Sequence, residues 1–400
     1  MVLERTSMRE RKASHVSQGR SRRGSKAVDL ASFGARSTKR AGQFVGKRYR
    51  IEGLLGSGAT STVYLAVDTR LGHSVVIKQL TPDGDKKDQL RQRFLSEAQA
   101  LATLRHPGIV RVLDFGAPPD ERPYLVMEAL VGETLASLLK RRRRIPFDVA
   151  LTIARHTAQA LAAAHEVGLV HRDIKPDNLF LLGPHDAPFG VKVIDFGMAK
   201  LPQSNGTSGV HTVLGTVEYM APEQVMADPV DGRTDIYSFG VVAFRLFTGH
   251  LPFEAPAGFD LLCHQLLSPV PPASWIHNGI DPHIDALITR ATRKHPDNRY
   301  PNMPSLMADL DAVMGLTTGP VADASLRVEP DVYVPQNDKG REVAALLAER
   351  YKTIAPLAYA NKSAQEAALS LLRFQSLAPG AEAPLDFDAL DDEDLEVSEG

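Results

Sequence analysis

Cysteine is almost missing from this chain: Cys263 is the only one in 400 residues. That excludes an internal disulfide framework and suits a reducing compartment, so a cytoplasmic protein is expected. No uninterrupted apolar run reaches the roughly 18 residues that a membrane-spanning helix needs. The N-terminal stretch carries Arg5, Arg9, Arg11 and Lys12 with no apolar core, so it is not a secretory signal. Its Arg- and Ser-rich, acid-poor composition also fits an organellar targeting segment. There is no internal repeat and no Gly-Lys-Ser/Thr of a Walker loop.

Net charge is close to zero at −2, but its distribution is not even. Residues 1–40 hold 11 Lys and Arg against 3 Asp and Glu, whereas residues 381–400 hold 9 acids and no base. Both ends have few large apolar residues and read as disordered, the first as an arm for an acidic partner. A second basic run, Lys140 to Arg144, reads as a solvated helix end. Nothing in this pattern points to specific nucleic-acid recognition.

Chemistry is concentrated in His171-Arg172-Asp173-Ile174-Lys175-Pro176-Asp177-Asn178, followed by Asp195-Phe196-Gly197. The two runs supply a carboxylate to orient a hydroxyl, a cation for moving charge, and oxygen ligands for magnesium. Upstream, Gly56-Ser57-Gly58-Ala59-Thr60-Ser61 sits between two β-branched, aromatic-rich segments. It therefore reads as a hairpin tip, unlike the strand-to-helix loop of a dinucleotide fold. Glycines there let backbone N–H groups approach phosphates. Lys78 stands alone in the apolar strand Ser74–Lys78, ahead of a helix expected over residues 89–104 that carries Glu97.

From Tyr49 to Leu310 these features resemble the eukaryotic-like (Hanks-type) Ser/Thr protein kinases of bacteria. The resemblance implies an α+β bilobal fold. A small lobe (44–130) would have a five-stranded antiparallel sheet and one helix, and a larger, mostly helical lobe would span 131–315. Residues 1–43 would be a basic arm, 316–340 a linker, 341–375 a helical extension and 376–400 an acidic tail. Val343, Leu346, Leu347, Tyr351 and Ile354 fall on one side of that extension, which implies packing on the chain's own lobe or on a partner.

The same resemblance implies the site. Asp173 would be the catalytic base, assisted by Lys175 and Thr216. Lys78, paired with Glu97, would clamp the α/β-phosphates, and Asn178 and Asp195 would bind Mg2+ (or Mn2+). ATP would contact Leu55, Gly56, Ser57, Gly58, Ala59, Val63, Val76, Met127 and Phe180, with the main chain of Glu128 and Leu130 on the adenine edge. Val76 stands where the family usually has alanine, and Ser61 replaces its third glycine, which narrows the pocket and stiffens the loop. Asp235 would hold the catalytic-loop backbone, Glu223 would pair with Arg299, and Thr207 and Thr212 would accept regulatory phosphate near Arg172. The implied substrates are Ser/Thr hydroxyls of proteins. The alternative class is a pseudokinase scaffold, which typically loses Lys78, Asp173 or Asp195; all three are present.

Overall fold

The computed structural model describes residues 35–58, 61–80, 87–119, 121–142, 144–183, 190–196, 217–254, 258–277, 279–315 and 333–354. Its N-terminal part is an antiparallel sheet of β1 (Phe44–Val45), β2 (Tyr49–Ser57), β3 (Ser61–Asp68), β4 (Ser74–Leu80), β5 (Val112–Gly116) and β6 (Tyr124–Glu128). The order is β1-β2-β3-β4-β6-β5, so the expected five strands are joined by a two-residue edge strand. Buried and half-buried residues alternate at the start of β2, as a one-sided strand requires. One face buries Tyr49, Ile51, Tyr64, Ala66, Val75, Ile77, Tyr124 and Val126 together. Helix α1 (Lys87–Thr103) joins the main core through Phe94, Ala98 and Leu101.

Ordered structure begins inside the stretch expected to be a disordered arm, residues 1–43. Arg36 exchanges backbone hydrogen bonds with Leu54 at 2.8 and 2.7 Å, and Gly42 donates to the Ile51 carbonyl at 2.8 Å. Arg40 stacks on Tyr64, 5.2 Å from the ring centre, and donates to Gln79 at 2.7 Å. Residues 36–43 therefore line the part of β2 that the two-residue β1 leaves uncovered, where backbone groups would otherwise be unpaired.

The C-terminal part follows with β7 (Gly132–Thr134), α2 (Leu135–Arg141), α3 (Phe147–Glu166), β8 (Leu179–Leu182) and β9 (Gly190–Val193). Strands β7, β8 and β9 form a second, three-stranded sheet. The alanine-rich helix α3 has no side-chain cap at its start. It is entered from Pro146, whose fixed φ suits the approach, and Asp148 lies in its first turn. Beyond it come α4 (Pro222–Val225), α5 (Gly232–Thr248), α6 (Gly258–Leu267), α7 (Ala273–Ile276), α8 (Pro282–Ala291), α9 (Met303–Val313) and α10 (Asp338–Ile354). Asp231 caps α5 by accepting from Arg233 N, and Gly249 ends it at φ +79°.

The helical extension begins at Asp338, three residues earlier than its pattern suggested, because Asn337 precedes it and accepts from Gly340 N at 2.7 Å. It packs on the chain's own lobe: Val343, Ala344 and Leu347 meet Met226, Cys263 and Leu266. Tyr333, expected in a linker, is buried in the same cluster. Among the described residues, no helix is long and apolar enough to cross a membrane.

Candidate active site

The glycine-rich tip joins β2 to β3, with Gly56 opposite Val63 and Ser57 opposite Thr62. A Cβ added at Gly56 would meet no atom within 4 Å, and at Gly58 only the Ser61 carbonyl at 3.8 Å. Neither glycine is demanded by the chain's own packing, nor by a left-handed backbone. The space they leave is what a phosphate chain close to the backbone would use, so the hairpin fits a nucleotide. Ala59 and Thr60 lie outside the described residues.

Beneath the hairpin, β4 runs between β3 and β6. Val76 is paired with Leu65 and Met127, and Lys78 with Val63 and Leu125. Met127 is buried, whereas Leu55, Val63, Val76, Leu130 and Phe180 are half-buried. Glu128 ends β6 with its side chain accepting from Arg111 N at 2.8 Å and its carboxylate 2.7 Å from Lys192 Nζ of β9. Its own N–H donates to the Arg111 carbonyl, which leaves the carbonyl as its main-chain offer to an adenine edge.

Lys78 is 5% exposed, and a buried ammonium needs an anion. The expected partner was Glu97. The structure pairs Lys78 with Asp195 instead, and Glu97 lies 3.6 Å from Arg172 Nη1. Asp195 sits at φ +62° and Arg172 at φ +64°, and in these left-handed conformations the Asp195 carboxylate meets Lys78 while the Arg172 guanidinium meets Glu97. Such conformations on non-glycine residues persist only where the surroundings impose them.

At Arg172 the surroundings are Asp235, in the first turn of α5. Its fully buried carboxylate accepts from His171 N at 2.7 Å, from Arg172 N at 2.8 Å, and meets His165 Nε2 at 2.8 Å. Gln224 Nε2 adds a bond to the Arg172 carbonyl at 2.9 Å. His171 is also buried, and that burial pushes its imidazole below the ordinary histidine range. Its Nδ1 accepts from Asp173 N at 3.2 Å, so the proton of the neutral ring is on Nε2, donating to the Ile194 carbonyl at 3.0 Å.

Around Asp173 the expected residues converge. Lys175 Nζ is 3.1 Å from Asp173 Oδ2, and Asn178 Nδ2 donates to that same oxygen at 3.1 Å and to the Asp173 carbonyl at 2.8 Å. Asn178 reaches back because Pro176–Asn178 is a tight 3-10 turn, with Asn178 N bonded to the Lys175 carbonyl. With its amide NH2 spent on Asp173, Asn178 keeps an oxygen to offer. An amide oxygen and a carboxylate such as that of Asp195 are hard donors of the kind magnesium takes. Thr216, Thr207 and Thr212 lie outside the described residues.

Glu223 and Arg299 form a two-pronged ion pair at 2.7 and 2.8 Å with both side chains buried. Sequence reasoning missed three contributors: Gln224, Gln265 and the Lys192–Glu128 link. Each is a polar residue whose partner lies more than 40 positions away, a pairing that local pattern does not reveal.

Residues 49–308 match the family model described as the protein kinase domain. Over 303 residues the chain is 35% identical to the serine/threonine-protein kinase PknL of Mycobacterium tuberculosis, covering 76% of this chain and 73% of that one. The chain belongs to the serine/threonine protein kinases. A second kinase relative, PknB of Mycobacterium leprae, is 37% identical over 66% of this chain, which spans 42% of that protein. Among solved structures, the PknI kinase domain of Mycobacterium tuberculosis superposes with a TM-score of 0.55 at 27% identity, covering 69% of this kinase and 99% of that chain. Rad53 1-466 in complex with AMP-PNP gives 0.54 at 26% identity, over 65% of this chain and 64% of that one.

Proposed function

We propose that this kinase transfers the γ-phosphoryl group of Mg-ATP to Ser/Thr hydroxyls of proteins, with Asp173 as the base. The observation that carries the assignment is the meeting of Lys175 and Asn178 at one oxygen of Asp173, which fixes that carboxylate in the catalytic loop. The acceptor oxygen bonds to the γ-phosphorus, the bond from γ-phosphorus to the β–γ bridging oxygen breaks, ADP leaves, and the hydroxyl proton passes to Asp173. Lys175 offers positive charge next to the reacting oxygen, which stabilises charge developing in transfer.

Lys78 is the phosphate clamp, and the hairpin at Gly56–Gly58 covers the phosphates. Asn178 and Asp195 would hold Mg2+ or Mn2+, which when bound neutralises phosphate charge. The Rad53 likeness supports a nucleotide of ATP type, since AMP-PNP is an ATP analogue. Thr207 and Thr212 are the regulatory acceptors in this reading, the basic arm binds an acidic partner, and the site of action is the cytoplasm.

The test is transfer by purified full-length protein with Mg-ATP. Asp173→Asn should lower the rate by about 10³-fold or more while nucleotide binding persists. Wild-type protein that binds nucleotide but transfers nothing would move the chain to the scaffold class.

A further inference from the structure

The extension after α9 grips one loop. Asp228, 6% exposed, accepts from Tyr333 Oη at 2.8 Å and from Gln336 N at 3.0 Å, and its other oxygen accepts from Asn337 Nδ2. Asn337 Nδ2 also donates to the Met226 carbonyl at 3.3 Å. Just before this carboxylate stands Ala227 at φ +54°, a left-handed conformation that is strained for a residue with a β-carbon. Three donors from a segment more than 100 residues away thus hold a strained loop in place.

That loop leads to the acceptor side of the site by two routes. Asp228 N donates to the Glu223 carbonyl at 2.9 Å, and the next residue, Gln224, holds the Arg172 carbonyl beside Asp173. In parallel, α10 packs on α6 through Leu347, Cys263 and Leu266. On α6, Gln265 donates to the Glu218 carbonyl at 2.6 Å and to the Val217 carbonyl at 3.3 Å. Residues 217 and 218 directly follow Thr216. Neither route touches the glycine-rich hairpin or Lys78.

We propose that Asp228, Tyr333 and Asn337 are positioning residues for the protein acceptor: the extension clamps the 217–228 segment and thereby sets acceptor affinity, independently of nucleotide. The proposal rests on the phosphoryl-transfer reading above. It gives residues 333–347 a part in substrate recognition that the kinase domain boundary would not suggest.

The experiment uses the full chain carrying Tyr333→Phe with Asn337→Ala, and the same pair with Ala227→Gly added. Initial rates are taken with myelin basic protein and ATP varied in turn, alongside hydrogen exchange of the 217–224 amides. The clamp variant should raise the acceptor KM by about tenfold, since charge-assisted bonds are lost, with the ATP KM within about twofold. Exchange at 217–224 should quicken. Glycine at 227 adopts positive φ without strain, so it should return the acceptor KM part of the way to wild type. An unchanged acceptor KM with unchanged exchange, or equal losses against both substrates, overturns the proposal. If the wild type transfers no phosphate, the phosphoryl-transfer reading fails, and the exchange measurement alone then decides the clamp: quickened exchange supports it and unchanged exchange overturns it.

Discussion

Arg299 has five N–H donors, and the structure uses all of them. Two go to Glu223, and three go to the carbonyls of Arg293, Arg233 and Lys294 at 2.7 to 2.8 Å. A lysine has three donors and no planar fork, so it cannot substitute. Removing one partner of a buried pair strands the other, and Glu223→Gln should lower unfolding free energy by about 3 kcal/mol or more, measured by urea titration. A second residue, His264, is held by burial and by nearby Lys294 at about 4, well below its ordinary 6.5, while Asp260 pulls it upward. The folded protein refuses a proton that the unfolded chain accepts, so stability falls as pH drops below 6.5, the loss continuing to about 4. Between pH 6.5 and 5 most carboxylates are still charged, and His264→Asn should flatten the pH dependence of the urea midpoint in that window.

At the scale of elements, two glycines separate packing from function. Gly240 lies in α5, where an added Cβ would come within 2.6 Å of Thr292 Cγ2 and 2.9 Å of Ala291 Cβ. Gly240→Ala should therefore destabilise by about 1–3 kcal/mol, because α5 and α8 cannot stay so close. Gly56→Ala meets nothing in the protein and should leave the unfolding free energy unchanged to within about 0.5 kcal/mol, while raising the KM for ATP. Calorimetry on both variants, with ATP kinetics on the second, checks the contrast. The hairpin, the catalytic loop and Asp195 were legible in the sequence because each is one contiguous run whose chemistry depends on neighbours in the chain. The seat of α10 was not. Its apolar stripe required a covered face, but the seat is set by Met226 after α4 and by Cys263 and Leu266 of α6, and no local pattern couples residues as far apart as Cys263 and Leu347. The pairing of Lys78 with Asp195 was hidden for a similar reason: it joins side chains 117 positions apart.

Across the whole molecule, the described chain wraps the kinase lobes from both ends. Residues 36–43 close the outer edge of β2, and residues 333–347 close the face of α6. A chain lacking residues 1–34 serves as the reference for the melting temperature. Removing 1–43 should lower it by several degrees, since it uncovers β2 and deletes the Arg40 contacts with Tyr64 and Gln79. Thermal melts of the two truncations distinguish a passive arm from a structural edge.

The four charges at the centre have a consequence in arithmetic. Lys78 with Asp195, and Glu97 with Arg172, make two neutral couples. If Lys78 turns to Glu97, one cation and one anion are left over, Arg172 and Asp195, and the sum has not changed. The rearrangement therefore calls for two guests of opposite sign, an anion for the guanidinium and a cation for the carboxylate. A phosphate on the 197–216 segment and a divalent metal would be such guests, and each would make room for the other. If a phosphate seats on Arg172 in this way, linkage requires that it tighten Mg-nucleotide binding by the same factor by which Mg-nucleotide favours that seat. Calorimetric titration of phosphorylated and phosphatase-treated enzyme with Mg-ADP should give different dissociation constants. Titration with ADP in the presence of a chelator should bring the two closer together.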